Sequence, residues 1–241
     1  MISIAKISKQ GGRDYNEDSC EYLTIQNSTI LALADGLGGH GGGDVASKLC
    51  INTCLQHFQE NQTLSSEQLN QAVLKAQANL INEQKKDFKL ERMRTTLVLC
   101  SIHNNQAMWA HVGDSRLYHF SNKQLVFQTN DHSVPQVLAN TGEIHPSEMR
   151  HHEDRNRLTS ALGNEGRLKI AIEEHPHTLN KGDALLLCTD GFWEYVTEVE
   201  MMADLAKSQS PEQWLNIMEI RLLDRAPVNN DNYSAIAVWI N

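Results

Sequence analysis

Two kinds of hydrophobic pattern follow each other along the chain. Short apolar runs and strict alternation of apolar and polar residues predict β-strands. These strands lie near residues 2–7, 20–26, 29–34, 96–103, 106–112, 115–120, 123–127, 168–173, 184–189 and 233–240. Apolar residues spaced by three and four predict helices instead. The helical segments come as two adjacent pairs, 44–60 with 66–87 and 198–207 with 211–225.

The order of these elements indicates the fold class. Strands and helices that alternate strictly are typical of parallel sheets, whereas here the helices come in batches between runs of strands. We therefore predict an α+β fold in which antiparallel sheets carry the helices on the outside. Residues 131–167 are rich in histidine and charge and lack periodicity, so we predict a small surface flap beside a site.

Composition narrows the possible functions. The 241 residues, 40% hydrophobic and 21% charged, are typical of a folded globular protein, and no linker divides them. We expect one domain over residues 1–241. The net charge of −9 without a run of Lys and Arg argues against nucleic acid as a partner.

Compartment and membrane association follow from the apolar runs and the cysteines. The longest apolar run, Ala235–Ile240, is far shorter than the ~20 residues that a membrane helix needs. Residues 1–10 lack the apolar region of a secretory signal. The five scattered cysteines are typical of reduced, buried thiols. We therefore expect a cytoplasmic protein that does not bind membranes.

Four aspartates lie at the ends of predicted strands. Asp35 and Asp190 each follow an apolar strand and precede a glycine, Asp114 closes another strand, and Asp231 comes just before the last one. Each Asp-Gly pair alone is typical of a turn. Four buried carboxylates brought together would repel one another until a cation neutralised them. Oxygen ligands of this kind suit Mg²⁺ or Mn²⁺, so convergence of the four strand ends would predict a metal site.

Further short motifs accompany these aspartates. In chain order they are Arg13-Asp-Tyr-Asn-Glu-Asp18, Asp35-Gly-Leu-Gly-Gly-His40, Thr95-Thr-Leu97, Gly113-Asp-Ser-Arg-Leu-Tyr118, Asp131-His-Ser133, Leu158-Thr-Ser-Ala-Leu-Gly163, Thr189-Asp-Gly191 and Asp231-Asn232. Together they resemble the metal-dependent type 2C (PPM) family of protein Ser/Thr phosphatases in its stand-alone bacterial form. The resemblance extends from about Ile4 to Ile240. It implies a four-layer αββα sandwich, with two central antiparallel sheets flanked by helix pairs.

The resemblance also implies roles for individual residues. Two Mn²⁺ or Mg²⁺ ions would be held by carboxylates and one backbone carbonyl, from Asp35, which bridges both ions, and from Gly36, Asp190 and Asp231. Glu17 and Asp18 would orient metal-bound waters. A hydroxide that bridges the two ions would then attack the phosphorus atom directly, without a covalent phosphoenzyme.

Three further positions complete the implied site. Arg13 would bind the phosphate, because its planar guanidinium can contact two oxygens at once. Asp114 would help to hold a weaker third ion. Leu37 stands where animal relatives have a histidine that is proposed as general acid, so another group must protonate the leaving oxygen. We expect His40, close by in sequence, to be structural.

The implied activity is hydrolysis of phosphoserine and phosphothreonine in proteins, opposing a bacterial Ser/Thr kinase. We expect a monomer whose segment 131–167 governs substrate choice. A catalytically weak regulatory or phosphoprotein-binding module on the same fold is the alternative. The presence of Arg13 together with the acidic residues favours the enzyme.

Two other patterns in the sequence are typical of different functions. Residues 36–41 match the G-x-G-x-x-G pattern of dinucleotide-binding proteins. However, a second predicted helix follows the first, where a βαβ unit requires a strand, and Asp35 would repel a pyrophosphate. The histidine pairs have no zinc-site spacing and are predicted to lie on the solvated surface: His151 with His152, and His175 with His177.

Overall fold

The computed structural model describes residues 1–38, 42–61, 63–166 and 168–241. Within these ranges the chain forms thirteen β-strands and six α-helices. The strands are β1 (Ile2–Lys9), β2 (Ser19–Ile25), β3 (Ser28–Ala34), β4 (Gly36–Leu37), β5 (Arg94–Thr95), β6 (Leu97–His103), β7 (Gln106–Val112), β8 (Arg116–Ser121), β9 (Gln124–Gln128), β10 (Ala171–Ile172), β11 (His177–Thr178), β12 (Ala184–Cys188) and β13 (Tyr233–Ile240). The helices are α1 (Gly43–Glu60), α2 (Ser66–Lys86), α3 (Val134–Thr141), α4 (Asp190–Trp193), α5 (Glu198–Lys207) and α6 (Pro211–Arg225).

Two antiparallel sheets form the centre of the molecule. One has the strand order β1-β13-β12-β8-β9, and the other has the order β10-β7-β6-β3-β2 with β11 also paired to β7. The short strands β4 and β5 form a separate ribbon. All these pairings are antiparallel, as the order of the elements, with adjacent helix pairs between runs of strands, predicted.

Each sheet is covered on both faces, which explains why its strands read as nearly continuous apolar runs. In β3, Ile30 and Ala32 pack against α1 and α2, while Leu31 and Leu33 face the other sheet. The other sheet packs its outer face against α5 and α6, where Trp214 is fully buried. Three cores therefore separate four layers, and the predicted αββα sandwich is confirmed. Within the described ranges, none of the helices is long and apolar enough to cross a membrane.

The flap segment contains more regular structure than the sequence predicted. Ser133 caps α3 by accepting a hydrogen bond from the backbone N–H of Gln136 at 3.4 Å, and Gly142, with φ of 79°, ends the helix. A 3₁₀ helix follows at Pro146–His151. The predicted strand at 168–173 was too long, since only β10 forms there. Ser133 and Pro135 are helix-start signals that the charged, histidine-rich composition obscured.

Strand direction carries the strand-end aspartates to one end of the sandwich. β2 begins beside the end of β3, which brings Asp18 to the same sheet edge as Asp35. β13 begins beside the end of β12, which brings Asp231 to the same sheet edge as Asp190. Asp114 lies in the turn between β7 and β8. Their convergence, which the sequence alone left open, is therefore a consequence of the two sheet orders.

Candidate metal-binding cleft

A cleft of about 270 Å³ opens at this end of the sandwich. Its walls contain the acidic residues together with several neighbours: Arg13, Glu17, Asp35, Gly36, Leu37, Gly38, Asp114, Asn156, Leu158, Asp190, Asp231 and Asn232. Asp18 is the one predicted site residue outside this lining, and its side chain is buried behind it. His40 lies outside the described residues.

The backbone of Asp35 is fixed by the two threonines of the Thr95-Thr96 motif. Thr96 Oγ1 accepts a hydrogen bond from the Asp35 N–H at 2.9 Å, and the Thr96 N–H donates to the Asp35 carbonyl at 2.9 Å. Thr95 Oγ1 donates to the same carbonyl at 2.8 Å. Both threonines are fully buried. The motif therefore anchors the main chain of Asp35 between β3 and β4.

The glycine after Asp35 is needed because two backbones touch there. A Cβ atom added to Gly36 would lie 2.1 Å from the carbonyl oxygen of Gly43, at the start of α1. The N–H of Gly43 donates to Glu17 Oε1 at 3.1 Å. Packing of α1 thus holds both Gly36 and the carboxylate of Glu17 at the cleft.

Asp18 is a buried carboxylate with one unsatisfied oxygen. Its Oδ2 accepts a hydrogen bond from Thr189 Oγ1 at 3.0 Å, whereas Oδ1 is buried and has no hydrogen-bond partner among the described residues. Burial raises the pKa of Asp18 to about 8, and the charge of Asp190 adds to the shift. A buried acceptor without a partner is costly, and a nearby cation or its waters would satisfy it.

The other aspartates also repel one another. Burial, and then the charge of Asp190, raise the pKa of Asp35 well above its ordinary value. The same two causes, in the same order, raise the pKa of Asp114. Burial and the charge of Asp231 raise the pKa of Asp190 to about 7. The cleft therefore contains several carboxylates that sense each other's charge and favour a cation.

The donor set fits hard divalent ions that keep much of their hydration. No three His, Cys, Asp or Glu side chains in the described ranges already surround a single point as a metal site. Mg²⁺ commonly binds through one or two carboxylates and retains several waters, so a preformed cage of three ligands is not required. The oxygen donors, the mutual repulsion and the unsatisfied oxygen of Asp18 all match Mg²⁺ or Mn²⁺.

Arg13 lines the cleft but has a partner that the sequence did not predict. Its Nη2 donates to Asp231 Oδ2 at 2.7 Å, and 55% of its side chain is exposed. The contact joins residues 218 positions apart in the chain. The guanidinium therefore neutralises one aspartate of the cluster while it remains accessible from the cleft.

Sequence reasoning missed three residues of the cleft wall. Asn232 connects both sides of the cleft, because its Oδ1 accepts from the Glu17 N–H at 2.9 Å and its Nδ2 donates to the carbonyl of Tyr15 at 2.8 Å. Asn156 and Leu158 come from the flap segment. Asn232 and Leu158 belong to motifs that the sequence showed, and the flap was predicted to lie beside a site, but the pattern gave no role to any of these three side chains.

Comparison with known proteins identifies close relatives. The family described as protein phosphatase 2C matches residues 8–221. The serine/threonine phosphatase stp of Listeria welshimeri is 34% identical over 203 residues, which cover 82% of this chain and 79% of that protein.

Solved structures share the whole fold. Serine/threonine phosphatase Stp1 from Staphylococcus aureus superposes with a TM-score of 0.89 at 29% identity, covering 100% of this chain and 96% of that one. The catalytic domain of the phosphatase PstP, in complex with two manganese ions, gives a TM-score of 0.82 at 28% identity and covers 100% and 99% of the two chains.

Proposed function

Since this chain belongs to the protein phosphatase 2C family, we propose that it is a metal-dependent phosphatase that hydrolyses phosphoserine and phosphothreonine in proteins. The observation that carries the proposal is the cluster of mutually repelling, buried or half-buried carboxylates beside an accessible arginine in one cleft. The names of the relatives support the substrate class. The bound manganese of PstP supports the cofactor.

The acidic residues divide into those that would hold ions and those that would orient water. Asp35, Asp190 and Asp231, with the carbonyl of Gly36, would hold two Mn²⁺ or Mg²⁺ ions, and Asp114 would hold a weaker third ion. Such ions lower the pKa of bound water and offset the charge of a phosphoryl group. Glu17 and Asp18 would accept hydrogen bonds from water and so fix its orientation.

The remaining side chains of the cleft would act on the substrate. The exposed guanidinium of Arg13 would bind phosphate oxygens, for which its planar donors are suited. Leu37 lines the cleft and has no proton to donate, so another group, such as a water molecule, would protonate the leaving oxygen of the serine or threonine. The flap residues Asn156 and Leu158 would contact the substrate beside the phosphate.

The cellular setting is part of the same proposal. We propose one catalytic domain over residues 1–241, a monomer, a cytoplasmic location and a Ser/Thr kinase that supplies the substrates. The five cysteines, all buried and free in the part of the chain that is described, support a reducing compartment.

Hydrolysis of phosphopeptides with and without metal tests the proposal. Phosphoserine and phosphothreonine peptides should release phosphate in the presence of Mn²⁺, and a chelator should abolish the reaction. Asp190→Asn should release no phosphate under either condition. Asp224→Asn, at an exposed position on α6, should release phosphate like the parent protein. Turnover that survives complete chelation would refute the metal-dependent mechanism, and phosphopeptide binding without hydrolysis would favour the regulatory module.

Replacing Arg13 with alanine is expected to raise KM for phosphopeptides by about 10- to 100-fold, because charged hydrogen bonds to phosphate are lost. Mn²⁺ affinity should not fall, since the change also removes a cation from Asp231. Steady-state kinetics and Mn²⁺ calorimetry measure the two effects. Arg92→Ala is the matched control, at a side chain that is 85% exposed. Parallel losses of substrate and metal binding would show instead that Arg13 only maintains the structure.

A further inference from the structure

The indole of Trp193 connects two aspartates of the cleft. Trp193 ends the short helix α4, which begins at Asp190. Its Nε1 donates to the backbone carbonyl of Asp114 at 3.0 Å, and the bond is buried. One side chain therefore links the helix that carries Asp190 to the turn that carries Asp114.

The ring of Trp193 is itself held by two guanidinium groups. Arg116 lies over it at 3.5 Å from the ring centroid, and Arg150 from the flap lies at 5.4 Å. Both distances are within the range of cation–π interactions. Arg116 makes two hydrogen bonds of 2.8 Å to the buried Asp131, and Arg150 donates to Glu198 at 2.5 Å. The indole thus has little freedom to move away from the Asp114 carbonyl.

Backbone contacts that do not involve the indole also hold Asp190 in place. The backbone N–H of Trp193 donates to the Thr189 carbonyl at 3.2 Å, which closes the turn of α4. A Cβ atom added to Gly191 would lie 2.0 Å from the Asn232 carbonyl oxygen, so α4 packs directly on the start of β13. Loss of the indole N–H should therefore release Asp114 while Asp190 stays in place.

We propose that Trp193 is a positioning residue that holds the backbone of Asp114 beside the helix that carries Asp190, so that the carboxylate of Asp114 can hold the weaker divalent cation. The inference rests on the proposed roles of these aspartates. Trp193 touches neither substrate nor ion in this scheme, and it acts only through the carbonyl of Asp114. A core tryptophan without this role would affect stability alone.

Trp193→Phe tests the proposal, because phenylalanine keeps an aromatic face and removes the donor. The matched control is Trp214→Phe, since Trp214 is also buried, its Nε1 donates to the Met201 carbonyl at 2.9 Å, and neither residue lines the cleft. Mn²⁺ binding is measured by calorimetry, and the weaker class of sites is identified by its loss in Asp114→Asn. Melting temperatures without metal report the stability that each variant loses.

We expect Trp193→Phe to weaken the weaker class of Mn²⁺ sites by roughly three- to tenfold, the equivalent of one hydrogen bond, and to leave the tighter class within twofold. Trp214→Phe should lower the melting temperature and leave both classes unchanged. In the Asp114→Asn background, Trp193→Phe should cause no further change in Mn²⁺ binding. Should Trp193→Phe not melt cooperatively, Trp193→Tyr is judged by the same criteria.

Two results would overturn the inference. One is Mn²⁺ binding by Trp193→Phe that equals the parent's in both classes, and the other is a shift that persists in Asp114→Asn. A parent without any weaker class of Mn²⁺ sites also refutes it. A parent that binds Mn²⁺ in two classes but hydrolyses no phosphoprotein refutes the proposed function alone.

Discussion

Asp35→Asn is expected to reduce phosphatase turnover by about 10³-fold, because several kcal/mol of transition-state stabilisation depend on the ions that Asp35 would share. The same substitution should raise the melting temperature of the metal-free protein. Burial and the charge of Asp190 hold the pKa of Asp35 well above its ordinary value, so folding must either protonate this carboxyl or bear its repulsion, and a neutral amide of nearly the same shape avoids both. The gain should be roughly 2–4 °C for each kcal/mol of repulsion relieved.

Phosphopeptide turnover at saturating Mn²⁺ and calorimetric melting in a chelator measure the two effects. Asp224→Asn removes an equal charge from the exposed surface of α6 and should change neither. A loss of activity together with a gain in metal-free stability is expected when the carboxylates of a site repel one another until a metal ion binds. A lower metal-free melting temperature in Asp35→Asn would mean that the carboxylate is held by favourable contacts, contrary to this account.

The metal-free protein is expected to lose stability as the pH rises from about 6.5 to 8, because below this range the buried His111, His119 and His132, whose pKa values are lowered by burial, contribute the opposite slope. Burial raises the pKa of Asp190 to about 7 and that of Asp18 to about 8, so the folded state binds more protons than the unfolded state in this range. Stability from a raised carboxyl pKa is complete below the unfolded value near 4 and disappears as the pH passes the folded value. Each such group costs up to about 1.4 kcal/mol per pH unit.

Melting curves at pH 5, 6, 7 and 8, in chelator and in saturating Mn²⁺, test this dependence. Mn²⁺ binds the ionised carboxylates and should flatten or reverse the slope, since binding releases their protons. The hydrogen bond with Arg225 lowers the pKa of Glu200 to about 2, so its contribution changes only in more acidic solution. A metal-free melting temperature that rises toward pH 8 would contradict the prediction.

The sequence predicted the strands and helices better than it predicted where the strand-end aspartates come together. The apolar runs before Asp35 and Asp190 identified both strands and both ends, because strands covered on two faces must be apolar throughout. These apolar runs do not indicate which strands are neighbours in a sheet. The pairing of β13 with β12 and of β2 with β3 decides that the aspartates share one edge.

Contacts between distant side chains were harder to predict for the same reason. The pairing of β1 with β13 brings Arg13 and Asp231 together, and local sequence patterns cannot predict such a pairing. Asp18 lies behind the cleft because its side chain points into the protein interior, toward Thr189, and the sequence before β2 does not show this direction. The helix α4 has a single turn, too short for apolar spacing to reveal, so the link from Trp193 to Asp114 could be found only in three dimensions.

The place of β13 between β1 and β12 has a consequence for the order of folding. β1 pairs with a strand more than 220 residues further along the chain, and closing so long a loop is entropically expensive and slow. Until that closure, Arg13 does not reach Asp231, and the Glu17 N–H lacks the side-chain oxygen of Asn232 that accepts from it. A partly folded chain without this pairing therefore has an incomplete cleft, and full catalytic competence should arise late, together with the pairing of β1 and β13.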